Sequence, residues 1–297
     1  MKYVIFYIIY GILWLISKSP FWLLYLLADF LYLVLYKLVR YRVKTVRDNL
    51  KLTLPHLSDK ERKTIEQKFY NHLCDLFLEM IKTMTISKEE LNKRFVYTNI
   101  DLIKTYEAKG KSIIIMLPHY ANWEWIINLQ SSFNHQGFAV YKKLANKYFN
   151  KLFVDIRSRF GAELINTVET TSKIKSNEVN NLKATYLFLS DQTPPLRGNL
   201  HWEPFLGIEV PIHMGAEALA RKFDMNILYL HLDKTKRGYY TATFSEITDD
   251  VKNTEKYAPT RLFLDKIESQ VTNKPELYFW THKRWKHQGR KEEFKTK

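Results

Sequence analysis

A single cysteine stands in 297 residues. Cys74 therefore has no intrachain disulfide partner, a multi-cysteine metal site is excluded, and the chain fits a reducing compartment. Its neighbours Leu73 and Leu76 mark it as a core residue. Acidic residues are in short supply as well, 31 Asp and Glu against 46 Lys and Arg, for a formal charge of +15. That imbalance calls for anionic partners, and charge alone admits phosphorylated lipid headgroups, nucleic acid or an acidic carrier protein. No internal repeat is visible, so a repeat architecture has no support. His119, His201, His213, His231, His282 and His287 are scattered without ligand spacing on shared elements, and no metal is assigned.

An uncharged run long enough to cross a bilayer is also missing from the amino-terminal segment. Residues 3–17 carry no charge and residues 21–36 carry only Asp29, with Lys18, Ser19 and Pro20 between them. Each half falls short of the ~20 residues a spanning helix needs, while the two as one helix would reach about 50 Å. Tyr3, Tyr7, Tyr10, Trp14, Lys18, Tyr25, Asp29, Tyr32 and Tyr36 recur near the helical period, so polar-tipped side chains form one stripe and aliphatic ones cover the remainder. The pattern predicts a helix or bent hairpin lying in or docked against a membrane. Lys37, Arg40, Arg42, Lys44 and Arg47 follow, a basic cluster suited to anionic headgroups on the cytoplasmic side. A secretory signal peptide fits less well, because the basic residues come after the apolar stretch and no small-x-small cleavage site follows. The expected division is a membrane-associated segment over 1–40 and one catalytic domain over 41–297. The aromatic content, 15 % of residues, suits a lipid interface or a large aromatic core.

What is present downstream is an alternation. Residues 41–95 read as helical, with Ser58 as an N-cap and Phe69, Leu73, Leu76, Phe77 and Met80 as packing positions. Strand-like segments follow at 112–117, 138–141, 163–166, 184–190 and 226–232, separated by helical stretches at 123–133, 147–160, 170–181 and 215–223. The expected fold is α/β with a mostly parallel sheet flanked by helices. An antiparallel strand at 239–245, a helix at 257–271 and a final strand at 276–280 complete the expectation, with order through Lys286 and a disordered tail after Gln288.

The chemistry concentrates behind the first strand, in Pro118-His119-Tyr120-Ala121-Asn122-Trp123-Glu124. On a continuous helix, residues five apart point about 140° from each other, but with His119 in a strand-to-helix turn it and Glu124 can meet. An imidazole accepts a hydroxyl proton near neutrality, and a carboxylate on its other nitrogen fixes the tautomer and stabilises the imidazolium. Such a pair suits activation of an alcohol toward an acyl carbonyl. A turn histidine beside a solvated acid is the plainer alternative.

These residues resemble those of the bacterial lipid A late acyltransferases, within the wider lysophospholipid acyltransferase group and its His-x4-Asp/Glu signature. The resemblance extends over residues 41–286. Its blocks are Tyr41-Arg42-Val43-Lys44 with Asn49-Leu50, Tyr141-Lys142-Lys143 with Asn146, Arg157-Ser158-Arg159-Phe160-Gly161, Asp191-Gln192, Phe205-Leu206-Gly207, Gly215 with Leu219-Ala220-Arg221, and Trp280-Thr281-His282-Lys283-Arg284-Trp285-Lys286. The resemblance implies that His119 is the general base and Glu124 its orienting partner, with Lys142, Arg157, Arg159, Asp191 and Arg284 binding substrate. It also implies a thioester of acyl carrier protein or coenzyme A as co-substrate, a lipid A precursor as acceptor, anionic membrane lipids as surroundings, and no metal or redox cofactor. The expected place is the inner (cytoplasmic) membrane with the site facing the cytoplasm, and no nucleic acid partner. The chain departs from the family in carrying Lys142 and Lys143 where arginine is usual, which keeps the charge and drops the bidentate fork. His213 stands where hydroxyl residues are common.

Two other readings remain open at this level. The same chemistry could act on an aminolipid, a phosphatidylinositol mannoside or a lysophospholipid. A noncatalytic protein held to anionic lipid by charge would need neither His119 nor Glu124. Acyl length, donor and oligomeric state are not legible.

Overall fold

The structure, a computed structural model, describes residues 2–196 and 200–294, leaving out the side chains of residues 2–4 and 132. The Tyr3 side chain of the aromatic stripe and the tail from residue 295 therefore fall outside it. The helices are α1 (Lys2–Lys18), α2 (Phe21–Tyr32), α3 (Val43–Thr53), α4 (Asp59–Lys82), α5 (Lys88–Arg94), α6 (Asp101–Ala108), α7 (Lys147–Arg157), α8 (Thr170–Val179), α9 (Gly215–Phe223) and α10 (Ala258–Asn273). The strands are β1 (Phe95–Tyr97), β2 (Ile113–Leu117), β3 (Gln136–Tyr141), β4 (Glu163–Asn166), β5 (Ala184–Leu189), β6 (His201–Phe205), β7 (Ile208–Ile212), β8 (Asn226–Lys236) and β9 (Tyr239–Thr248).

Seven strands form one sheet in the order β1-β9-β8-β2-β5-β3-β4, parallel throughout except where β9 returns antiparallel to β8. This is the expected α/β architecture. The centre falls on β2 because Ile113 to Leu117 is an unbroken apolar run, fit only for a strand covered on both faces. All five of its residues are fully buried, and each such side chain withdrawn from water contributes ~1.5–3 kcal/mol. The Lys236–Tyr239 reversal needs Gly238, whose φ is +76° and where a Cβ would overlap the Tyr25 hydroxyl of α2.

Three expectations need correction, and two elements come in addition. Residues 123–133 form tight 3₁₀ turns over Trp123–Ser132 instead of an α-helix, with Asn122 capping through Oδ1 to Trp125 N at 3.1 Å. Residues 276–280 are not a strand: Pro275–Leu277 makes one 3₁₀ turn, and only Tyr278 pairs, antiparallel to Tyr120. Pro275 has no N–H to give to a ladder. Two short elements that the apolar pattern did not announce are β1 and the β6–β7 hairpin. The chain also stays ordered past Gln288, where Phe294 packs on Trp202 with ring centroids 6.1 Å apart and Lys291 pairs with Glu209 at 2.5 Å.

The amino-terminal segment is bent at Ser19-Pro20 into α1 and α2. A π-helical stretch, Leu33–Leu38, prolongs α2, and Phe21–Leu38 together are long and apolar enough to cross a membrane. Leu24 and Ala28 of α2 pack with Cys74 and Leu78 of α4. The polar stripe read from the sequence splits in two here. In α2 and beyond it faces the protein, with Tyr25 on Glu79, Asp29 on Arg237 and Tyr36 on Glu66, whereas Tyr7, Tyr10 and Trp14 of α1 are exposed. Ile5, Ile8, Leu15, Trp22, Leu26 and Phe30 all stand at least half exposed.

Candidate functional site

His119 and Asp191 come together because of strand register. Strands β2 and β5 are adjacent and parallel with Leu117 opposite Leu189, so each residue lies two positions past a paired end. Carboxyl ends of parallel strands are where open α/β sheets place their sites. The outcome is a hydrogen bond of 2.7 Å between His119 Nδ1 and Asp191 Oδ1. Burial alone would raise the Asp191 carboxyl; the charge and hydrogen bonds of His119 outweigh it and hold the group below the ordinary carboxylate range. The Asp191 side chain is 1 % exposed and that of His119 is 20 % exposed, so the histidine is the member of the pair that meets the surroundings. Its Nε2 makes no hydrogen bond among the described residues. Trp123 and Phe279 flank the ring at 5.3 and 6.1 Å between centroids.

Glu124 has a different partner from the expected one. Arg157, the last residue of α7, grips it with two bonds, Nε to Oε2 at 2.9 Å and Nη2 to Oε1 at 2.6 Å, and Trp123 Nε1 adds a third at 3.2 Å. The expected direct His119–Glu124 bond is not formed. The turns that follow Asn122 carry Glu124 toward α7, and β5 supplies a carboxylate closer to the imidazole. Burial lowers the Arg157 pKa, and the Glu124 charge more than restores it, so the guanidinium ends above its ordinary value. Glu124 and His119 remain linked through Trp123, which bonds the one and touches the ring of the other.

The remaining expected residues separate. Lys142 is exposed directly after β3, on the same edge of the sheet as His119. Arg159 sends Nη1 to the carbonyls of Thr83 and Ile86, closing the carboxyl end of α4, so this donor is spent on backbone. Arg284 is 1 % exposed and lies over the Phe205 ring at 5.4 Å. Its Nε, Nη1 and Nη2 have no hydrogen-bond partner among the described residues, and neither does Asp191 Oδ2. Burial lowers the Arg284 pKa against the opposing charges of Tyr278 and Asp191.

His282 and His213, named in the sequence without a role, also stand at this site. His282 Nε2 accepts from Thr193 N at 3.3 Å, and His213 also lies against Thr193. Burial, reinforced by the positive charge of Arg284, lowers each histidine to about 4, so both are neutral at pH 7. The carboxy-terminal block reaches this place because Asn49 Nδ2 binds the carbonyls of Trp280 and His282 at 2.8 and 3.0 Å, and Arg42 binds that of Thr281 at 3.0 Å. Two sequence blocks more than 200 residues apart thus hold each other. Phe279 N then donates to His119 O at 3.1 Å, and Ala121 N to Leu277 O at 3.0 Å. Among the described residues, no group of three or more His, Cys, Asp or Glu is placed to hold a metal ion.

The sequence profile of a family described as bacterial lipid A biosynthesis acyltransferase matches residues 1–287. A curated relative, a lipid A biosynthesis acyltransferase of Haemophilus influenzae, is 27 % identical over 120 residues, which are 39 % of this chain and 36 % of that protein. The chain thus spans about a third of the length of the relative it matches.

Proposed function

This chain belongs to the bacterial lipid A biosynthesis acyltransferase family, and from that premise we propose that it is a membrane-associated O-acyltransferase. It moves a fatty acyl chain from an acyl carrier protein or coenzyme A thioester to a hydroxyl of a lipid A precursor. The observation that carries the reading is the His119–Asp191 bond at 2.7 Å with Nε2 left open.

Asp191 accepts the Nδ1–H and so fixes Nε2 as the basic nitrogen. The acceptor hydroxyl gives its proton to His119 Nε2 while its oxygen bonds the thioester carbonyl carbon. The resulting tetrahedral oxyanion needs a positive potential, and we assign that task to Arg284, whose buried donors are unspent. Collapse breaks the C–S bond, the thiolate takes the proton from Nε2, and ester, thiol and neutral His119 result. Glu124 and Arg157 act as a pair that fixes Trp123 against the histidine ring, and Lys142 meets acceptor phosphate.

Residues 1–40 associate with the membrane and residues 41–297 form the catalytic domain, with the site on the cytoplasmic side of the inner membrane. The exposed apolar side chains of α1 and α2 support this, since so many large apolar groups exposed on two successive helices call for lipid. The test supplies membranes containing wild type or His119→Ala with acyl carrier protein or coenzyme A thioesters and a lipid A precursor, and weighs the product by mass spectrometry. Wild type is expected to add one acyl chain, and His119→Ala to lose about 10²–10⁴-fold in rate. Equal transfer by both would remove His119 from the mechanism, and product on a different lipid would replace the acceptor.

A further inference from the structure

His72, Asp75, Glu79 and Thr83 follow at spacings of three, four and four residues, the first three within α4 and Thr83 at its carboxyl end, and so share one helix face. All four are buried, with exposures of 4 % or less. A buried stripe of this polarity is costly unless every group finds a partner. Three of the four find theirs in residues 121–125, the stretch that follows His119 and contains Glu124.

His72 lies 3.1 Å from Ala121 O through Nε2, and its Nδ1 faces Lys234 Nζ at 3.3 Å. Burial lowers this imidazole to about 3, so it is neutral. Nδ1 must accept from the ammonium, which puts the single proton on Nε2 and makes it the donor to Ala121 O. Glu79 Oε2 accepts from Asn122 Nδ2 at 2.7 Å. Trp125 Nε1 is shared between Glu79 O and Thr83 Oγ1, at 3.1 Å to each. Ala121 needs such restraint, because its φ of +49° is left-handed and unfavourable for a residue with a Cβ. The Glu79 carboxylate has two further donors. Tyr25 of α2 reaches Oε1 at 2.9 Å, and Tyr240 of β9 reaches Oε2 at 2.8 Å.

We propose that this face of α4, with Glu79 as its hub, is the positioning device for His119, and that Tyr25 of the apolar amino-terminal helix is one of its anchors. His72, Glu79 and Tyr25 touch no reacting atom; they act through residues 121–125, the segment that leaves the histidine after Tyr120. Seating of α2 on α4 therefore sets the orientation of His119, and the membrane-facing helix is part of the catalytic frame. The consequence for turnover rests on the acyl-transfer reading; the consequence for the histidine itself does not.

The experiment uses full-length protein in detergent micelles and compares Tyr25→Phe and Glu79→Gln with wild type. Tyr70→Phe is the control, since it removes another hydroxyl bond from α4, to Tyr41 O, away from residues 121–125. Three quantities are read: thermal unfolding, the rate at which diethyl pyrocarbonate modifies His119 (followed on its peptide by mass spectrometry), and kcat and KM for acyl transfer. The Tyr25 and Glu79 variants are expected to change the modification rate by roughly threefold or more and to lower kcat about tenfold with KM little altered, as displacement of a reacting group requires. Tyr70→Phe is expected to shift the unfolding temperature alone. Unchanged His119 modification in the folded Tyr25 and Glu79 variants would overturn the proposal, as would an equal change in Tyr70→Phe. Were wild type to transfer no acyl chain at all, the proposed function would fall while the modification rates still decided the positioning role.

Discussion

At one end of the 119–124 stretch a histidine meets a carboxylate delivered by the neighbouring strand; at the other a glutamate meets an arginine delivered by a helix. The first contact is a single bond to a partly exposed imidazole with one nitrogen open. The second is a two-point clamp with its carboxylate oxygens already occupied. A titrating group with an open nitrogen suits proton transfer, whereas a doubly bonded ion pair suits holding a shape. Proximity in sequence therefore says less about a histidine's partner than strand register does.

The comparison breaks most easily at Asp191. If the Asp191 end is the chemical one, Asp191→Asn should lower kcat by about 10²–10⁴-fold, because the amide stabilises the wrong tautomer and cannot balance the imidazolium. Steady-state transfer rates on folded variant would show it, and a loss below tenfold would move the orienting role elsewhere. Glu124→Gln is the reciprocal test. It should lower kcat by less than about tenfold while costing about 3 kcal/mol of stability, since Arg157 keeps its charge without a counter-charge. Chemical denaturation and kinetics read the two effects separately, and a kcat loss equal to that of Asp191→Asn would erase the distinction between the two ends.

Acid sharpens the same contrast more gently. His213 and His282, both on the Asp191 side, titrate near 6.5 when unfolded and near 4 when folded. Between those values the unfolded chain binds more protons, so this stability is complete above pH 6.5 and is lost as the pH falls toward 4. Hydrogen exchange at pH 7 and at pH 5 should show residues 191–193 and 280–284 loosening first, with α7 and its Arg157–Glu124 clamp holding. His213→Gln should flatten the dependence, and loosening of α7 ahead of the Asp191 side would reverse the assignment.

Much of the frame was legible because single residues announced it. The unbroken isoleucine-rich run of β2 could only be a doubly covered strand, and Ser58 with Glu61 forms the capping box at the start of α4. Strand β4 coincides with the expected 163–166, and α9 with 215–223. The 3₁₀ turns after Asn122 were not legible, since apolar spacing there suits an α-helix equally well, and tertiary bonds from Asn122 and Trp125 to α4 chose the tighter form. The apolar face of α4 read as ordinary packing and its polar face announced nothing, because nothing in the order of residues says that His72 and Glu79 would meet Ala121 and Asn122.

The sequence by itself determined the α/β alternation, the apolar amino-terminal pair of helices, the position of His119 at a strand end and the blocks that carry the family resemblance. Those follow from local periodicity and from residue chemistry, which each segment carries with it. Only the tertiary structure decided that His119 is bonded to Asp191 and Glu124 to Arg157, that Arg159 closes α4, and that residues 280–284 lie beside the histidine. Each of those depends on which strands are neighbours and in what register, a property of the packed sheet that no single segment contains.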